Sequence, residues 1–245
     1  MKIIVASDYD EISRLAADRV AELVRQDPGA VLGLPTGSTP LGMYRNLIRM
    51  HRESGLSFKN VTTFNLDEYV GLSPDDENSY RYYMYQNFFN HIEIQKQNIN
   101  IPDGTAEDLE QECVDYENKI LSAGGIDLMV LGLGNNGHIG FNEPSDHFPN
   151  ATHVTELDDS TIQANARFFE SIDQVPRYAI TMGIGSIMRC RKILLLASGN
   201  AKARAIRGAL EGPVTPLLPA SILQFHPDVT VILDTDAASE LTRGV

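Results

Sequence analysis

The sequence predicts an α/β fold: an open, mostly parallel, doubly wound (Rossmann-like) sheet flanked by helices, with a lid segment. Three observations predict it. Short β-rich runs alternate with amphipathic helical patterns along the whole chain. One run, IDLMVLGLG (126–134), is apolar at nearly every position, as a central strand buried on both faces requires. Polar, glycine-bearing clusters fall where the predicted strands end, which is where ligands gather in such sheets.

KIIVA (2–6) reads as the first strand. Ser7 is expected to cap the helix that follows, in which Ile12, Leu15, Ala16, Val20, Leu23 and Val24 share one face. AVLGLP (30–35) is the second strand. Thr39 and Pro40 then open a helix through Met50, with the proline in its first turn. VTTFNLDEY (61–69) is a third strand running into acidic residues. Ser79 suits the cap of the aromatic helix YRYYMYQNFFNHI, and AEDLEQECVDYENKIL (106–121) is amphipathic. Beyond the central strand come a strand at ATHVTEL, a helix around 160–170, the strand RYAITMG, and KILLLAS (192–198), which leads at once into GNAKARAIRGALEG. VTVILD (229–234) is the last strand, and the final LTRGV is expected to fray. No internal repeat, low-complexity segment or linker interrupts the pattern, so residues 1–245 are expected to form one domain.

Composition narrows the function classes. At 42% hydrophobic and 22% charged residues, the chain can build an ordinary core. Thirty-three acidic residues against twenty basic ones give a net charge of −13, which argues against binding nucleic acid through phosphate neutralisation. A small anionic substrate remains open if a few cations or helix N-termini converge in one cleft. Cys113 and Cys190 form no C-x-x-C and read as buried thiols, with neither a disulfide framework nor a cysteine zinc site. The apolar stretch of MKIIVASDYDE is too short for a signal peptide. No apolar run approaches the ~18 residues of a membrane helix. The expectation is a soluble, cytoplasmic protein without membrane or nucleic-acid partners.

LGLGNNGHIGFNEP (131–144) offers three readings. It matches G-x-G-x-x-G after a strand, but HIGFNEP follows where a dinucleotide site needs an amphipathic helix. His138 and Glu143 lack the spacing of a helical zinc motif, and no metal is expected. A histidine in a glycine-rich loop, oriented by a carboxylate once the chain turns back at Gly140, fits proton transfer at neutral pH.

Three further clusters accompany it. In FNLDEY, adjacent Asp67 and Glu68 point to opposite sides of an extended chain, so one can face a cleft. GLPTGSTP lacks the Walker lysine. Even so, Gly37 permits close backbone approach, Thr36, Ser38 and Thr39 bring hydroxyls, and the next helix aims its N-terminus at an anion. In SGNAKARAIRG, Lys202 sits in the first turn of a helix, where a cation is unfavourable unless a ligand supplies an anion. Each cluster also has a plainer alternative: a surface-loop histidine, a solvated strand end, a capped turn, a solvated lysine.

Six ordered segments carry a resemblance: LGLPTGSTPLGMY, FNLDEYVGL, NSYRYYMYQNFF, GLGNNGHIGFNEP, ARFF…VPRYAITMG and GNAKA. Over essentially its whole length the chain resembles the glucosamine-6-phosphate deaminase (glucosamine/galactosamine-6-phosphate isomerase) family. The resemblance implies a cytoplasmic enzyme of amino-sugar catabolism, including that of N-acetylglucosamine. It would be a hydrolase in the sense of isomerising glucosamine 6-phosphate with loss of ammonia to fructose 6-phosphate, without a cofactor. It further implies Asp67 as the base at C2, His138 as the ring-opening acid and base, and Glu143 as its orienting partner, with Asn136 beside them in the catalytic set. Thr36, Gly37, Ser38, Thr39, Gly137, Arg167 and Lys202 form the implied substrate and phosphate site, with Arg167 on a mobile lid at about 145–175. Some family members carry aspartate at Asn136, so His138 is expected to depend more heavily on Glu143 here. The chain also ends soon after LDTDAASEL, so allosteric regulation and the hexamer that accompanies it are not expected. A monomer is the expectation, with a homo-oligomer left open. The rival functions are a 6-phosphogluconolactonase-like hydrolase, whose pattern lacks FNEP, and a sugar-phosphate sensor, which would carry a basic helix-turn-helix region at its N-terminus.

Overall fold

The computed structural model describes residues 1–242, apart from the side chains at 164 and 168. Its strands are β1 (Lys2–Ala6), β2 (Val31–Leu34), β3 (Thr62–Asn65), β4 (Asp67–Tyr69), β5 (Ile99–Asn100), β6 (Leu128–Gly132), β7 (His153–Glu156), β8 (Tyr178–Thr181), β9 (Lys192–Ala197) and β10 (Val229–Asp234). Its helices are α1 (Tyr9–Gln26), α2 (Leu41–Ser54), α3 (Tyr80–Asn87), α4 (Leu109–Ser122), α5 (Asp159–Asn165), α6 (Ile184–Met188) and α7 (Ala203–Glu211).

The apolar run at 128–132 lies at the centre of a seven-stranded sheet ordered β1-β10-β9-β6-β2-β3-β5. Every pairing in that sheet is parallel. Successive residues of β6 point to opposite faces. Leu128 and Val130 therefore pack with Ile12 and Val20 of α1 and Leu47 of α2. Met129 and Leu131 pack with Tyr116 of α4, Ile187 of α6 and Ile206 of α7. Two cores, one on each face, explain why β6 has no polar alternation.

Strand order reverses between β2 and β6. β2 leads outward to β3 and β5, and β6 leads the other way through β9 and β10 to β1. In open α/β sheets a crevice forms outside the carboxyl ends at such a reversal. All four polar clusters lie on that edge.

The structure corrects several local expectations. Asp8, not Ser7, caps α1: its side chain accepts from Glu11 N at 2.8 Å. The Glu11 carboxylate in turn accepts from Ser7 N at 2.8 Å, tying the first turn of α1 to the residue before its cap. Thr39 does not cap α2. Pro40 occupies that position with a helical backbone and no side-chain cap, and its carbonyl takes the first helical bond from Tyr44 N. The helix around 160–170 ends at Asn165 and continues as one 3₁₀ turn at 166–168. Lys202 lies at the end of a 3₁₀ turn and caps α7 rather than entering its first turn.

The stretch 61–69 is not one strand. Leu66 N bonds back to Leu34 O in the main sheet, at 3.3 Å, and Leu66 O accepts from Met182 N at 2.8 Å. At that residue the chain exchanges one set of partners for another, and β4 joins a three-stranded antiparallel sheet ordered β4-β8-β7. Of the expected frayed end, Leu241 packs on the core and Thr242 N donates to Glu211 Oε1 at 2.9 Å. Residues 243–245 lie outside the described residues.

Candidate active site

The loop after β2 is shaped by tyrosines. Tyr44, Tyr83 and Tyr9 donate their hydroxyls to the carbonyls of Pro35, Gly37 and Ser38 at 2.6, 2.6 and 3.0 Å. Gly37 has φ +91°, a conformation that disfavours any side chain. Among the described residues, none accepts from the N–H groups of Gly37, Ser38 or Thr39. The result is a turn that presents N–H donors and hydroxyls at the start of α2, as anion binding requires.

β4 separates the two acidic neighbours. The Glu68 carboxylate accepts from the backbone N–H groups of Tyr69, Tyr80 and Arg81 at 2.8, 2.9 and 2.8 Å. Two of those donors open α3, so Glu68 fastens that helix to the sheet. Asp67 points the other way and is 6% exposed. Burial, reinforced by the charge of Glu68, pushes its carboxyl up to about 8. A carboxylate tuned to that range can accept and return a proton near neutral pH.

The loop after β6 delivers the histidine. Gly134 N donates to His138 O at 2.9 Å, closing a tight turn. A Cβ at 134 would lie 2.4 Å from the His138 ring, so only glycine leaves room for the imidazole there. The chain turns back at Gly140, φ +58°, and Phe141 N donates to Thr181 Oγ1 at 3.0 Å. Because Thr181 pairs with Asp67 across β4 and β8, this bond brings the histidine loop beside Asp67. A Cβ at 140 would stand 3.5 Å from Asp67 Oδ2.

His138 Nδ1 lies 3.2 Å from Glu143 Oε2. A carboxylate only accepts, so Nδ1 carries the proton and Nε2 is left to work on a ligand. Asn136 locks the pair: its Oδ1 accepts from His138 N at 3.2 Å and its Nδ2 donates to Glu143 Oε2 at 2.7 Å. Thr161 donates to Glu143 Oε1 at 2.5 Å. Burial raises the Glu143 carboxyl, but the hydrogen bonds and charge of His138, with Thr161 and Asn136, hold it below its ordinary value. Glu143 therefore stays ionised through the neutral range.

At the end of β9, Asp234 pins the turn. Ser198 Oγ donates to Asp234 Oδ2 at 2.5 Å, and Gly199 N lies 2.9 Å from the same oxygen. Lys202 follows. Burial and the charge of Arg167 push its ammonium down to about 8. Two cations acting on each other in a part-buried site are costly unless an anion compensates them.

A family model described as glucosamine-6-phosphate isomerases/6-phosphogluconolactonase matches residues 7–232. The chain belongs to that family. Within the isomerase/lactonase family, a glucosamine-6-phosphate deaminase of Thermoanaerobacter pseudethanolicus is 56% identical over 98% of this chain and 94% of its own. A solved structure of a monomeric glucosamine-6-phosphate deaminase superposes with a TM-score of 0.96 at 52% identity, covering 98% of this chain and all of that one. A 6-phosphogluconolactonase from Trypanosoma cruzi shares the fold, with a TM-score of 0.77 at 23% identity over 98% of this chain and 97% of its own.

The structure thus brings Asp67, Asn136, His138 and Glu143 to one edge, with Thr36, Gly37, Ser38, Thr39, Gly137 and Lys202 on loops of that edge and Arg167 acting on Lys202. Gly137 does so through its backbone, whose carbonyl accepts from Ala220 N at 3.0 Å. A cavity of about 780 Å³ opens behind the same loop, between Asn135, Asn136 and the outer face of α7, but Asp67, His138 and Lys202 do not line it. Among the described residues, no cluster of His, Cys, Asp or Glu could hold a metal ion, and no helix is long and apolar enough to cross a membrane. Sequence reasoning missed Thr161, Asp234 and the tyrosines behind the first loop. Only Asp234 had a signal, an acid closing the strand VTVILD.

Proposed function

We propose that this chain converts glucosamine 6-phosphate and water to fructose 6-phosphate and ammonia. The observation that carries the reading is the separation of roles. A carboxylate-oriented histidine on the loop after β6 and a second, buried carboxylate on β4 pushed to about 8 stand beside each other, with two mutually acting cations on the same edge. Lactone hydrolysis needs water activation and has no use for a second carbon base, whereas a 1,2-isomerisation needs both. Similarity at 56% identity to a relative named for the deamination supports the same choice.

In this reading the N–H groups of 37–39, the hydroxyls of Thr36, Ser38 and Thr39, Lys202 and Arg167 bind the phosphate. That anchor fixes the distant carbons and lowers the barrier through positioning. His138 Nε2 takes the proton of the anomeric hydroxyl and returns it to the ring oxygen, opening the pyranose. Asp67 then removes the C2 proton, forming an enolamine. Protonation at C1 gives a ketimine, to which water adds as ammonia leaves. Glu143 and Asn136 hold the imidazole, and residues of about 145–175 act as the lid, with the whole chain as one catalytic unit. Action as a monomer and a place in cytoplasmic amino-sugar catabolism belong to this reading. No cofactor enters any step.

The test is incubation of the purified chain with glucosamine 6-phosphate, assaying ammonia and fructose 6-phosphate, with 6-phosphogluconolactone in parallel. Stoichiometric ammonia and fructose 6-phosphate are expected. Lactone hydrolysis without ammonia release would overturn the proposal.

A further inference from the structure

Resting on the proposed deamination, we infer that Thr161 is a positioning residue that couples capture of the substrate phosphate to the His138–Glu143 pair. Glu143 has two oxygens with unequal support. Oε2 is held by Asn136 and His138, both of its own loop, at 2.7 and 3.2 Å. Among the described residues, the one side-chain donor to Oε1 is Thr161 Oγ1, at 2.5 Å, from α5, 18 residues along the chain.

A carboxylate held only at Oε2 can still turn about its terminal bond and swing Oε2 off the Nδ1–H axis. Fixing both oxygens sets its plane and keeps the imidazole aimed. Thr161 is 5% exposed, so its hydroxyl has little access to water as an alternative partner.

The stretch that carries Thr161 touches two other parts of the site. Asn165 Nδ2 donates to the Tyr69 hydroxyl at 2.9 Å, and Tyr69 shares β4 with Asp67. Arg167 acts electrostatically on Lys202. A seven-residue segment, 161–167, therefore spans the phosphate cations, the strand of the carbon base and the acid/base pair. A phosphate bound by Arg167 and Lys202 also holds in place the segment that keeps the Thr161 hydroxyl on Glu143. Binding energy at the unreactive end of the sugar is spent on geometry at the reactive end.

Thr161→Val keeps the β-branched shape and removes the hydroxyl, and Thr161→Ser keeps the hydroxyl. With glucosamine 6-phosphate, Thr161→Val should lose about tenfold or more in kcat with KM within about twofold, the scale of one hydrogen bond to a charged group. Thr161→Ser should recover most of that loss. The coupling is read with the substrate in two pieces: inorganic phosphite should accelerate turnover of unphosphorylated glucosamine by the unmodified chain and fail to do so in Thr161→Val. A wild-type kcat in Thr161→Val overturns the inference, as does equal impairment of the Val and Ser variants, which marks a packing role. Absence of phosphite acceleration in an unmodified chain that turns over glucosamine 6-phosphate also overturns it. An unmodified chain inactive on glucosamine 6-phosphate instead overturns the deaminase reading on which it rests.

Discussion

Glu143 meets His138 through a single carboxylate oxygen, 3.2 Å from Nδ1, and Asn136 donates to that same oxygen at 2.7 Å. The amide adds no negative charge beside the ring, so Glu143 supplies the hydrogen-bonded carboxylate that steadies an imidazolium. Glu143→Gln should therefore lower kcat by about 10- to 100-fold, the range for losing an orienting carboxylate, with the fold intact by circular dichroism. Steady-state ammonia release checks this; a kcat unchanged from wild type would contradict the role.

Asp67 makes two linked predictions. As the base it must be ionised, so kcat/KM should rise with pH along a limb centred near its value of about 8. Asp67→Asn should abolish solvent exchange at C2 while phosphate-dependent binding persists. Its stability effect has the opposite direction. The folded value of about 8 lies above the ordinary 3.8, so the folded chain retains a proton that the unfolded chain releases between those values. This contribution to stability is complete below about pH 4 and is lost as pH rises toward 8. Asp67→Asn, which does not titrate, should gain in Tm relative to wild type across that window. Parallel melting curves for the two proteins at every pH would refute the buried-acid assignment.

Lys202 should lose its charge as pH passes its depressed value of about 8 in the free enzyme. Bound phosphate opposes that loss, so KM should climb above about pH 8. Lys202→Met should raise KM by about 10- to 100-fold, as expected for removing a charge-assisted bond to an anion. Isothermal titration with inorganic phosphate tests the same point without turnover, and undiminished phosphate affinity would place the anion elsewhere.

Asp234 holds the turn that carries Lys202. Asp234→Ala would strip acceptors from Ser198 Oγ, Gly199 N and Ala237 N. A loss of about 2–4 kcal/mol in stability is expected from orphaned, largely buried donors, together with a raised KM. Urea denaturation and steady-state kinetics measure the two effects. A KM that stays constant would confine Asp234 to folding.

Much of the architecture was legible in the residues. The apolar run from Leu128 to Leu131 announced a strand buried twice over, and it became the middle strand, β6. The polar endings of the predicted strands marked the edge where the site lies. What could not be read locally was each change of partner. FNLDEY has one continuous extended pattern, yet Leu66 hands the chain from the main sheet to the smaller one. That switch depends on Leu34 and Met182, which lie far away in sequence. Helix α6 and strand β5, at five and two residues, are too short for any periodicity to register.

By itself the sequence determined the alternation of strands and helices, the doubly buried centre and the chemical groups available at each loop, because side-chain period and turn chemistry act over a few residues. Tertiary structure alone decided which of the two buried acids, Asp67 and Glu68, was left beside the histidine loop, since the N-terminus of α3 claimed Glu68. It also decided that Thr161 reaches Glu143 and that Arg167 acts on Lys202. Those pairings are set by the packing of distant elements, where burial and desolvation assign each polar group its partner, and no local pattern encodes that outcome.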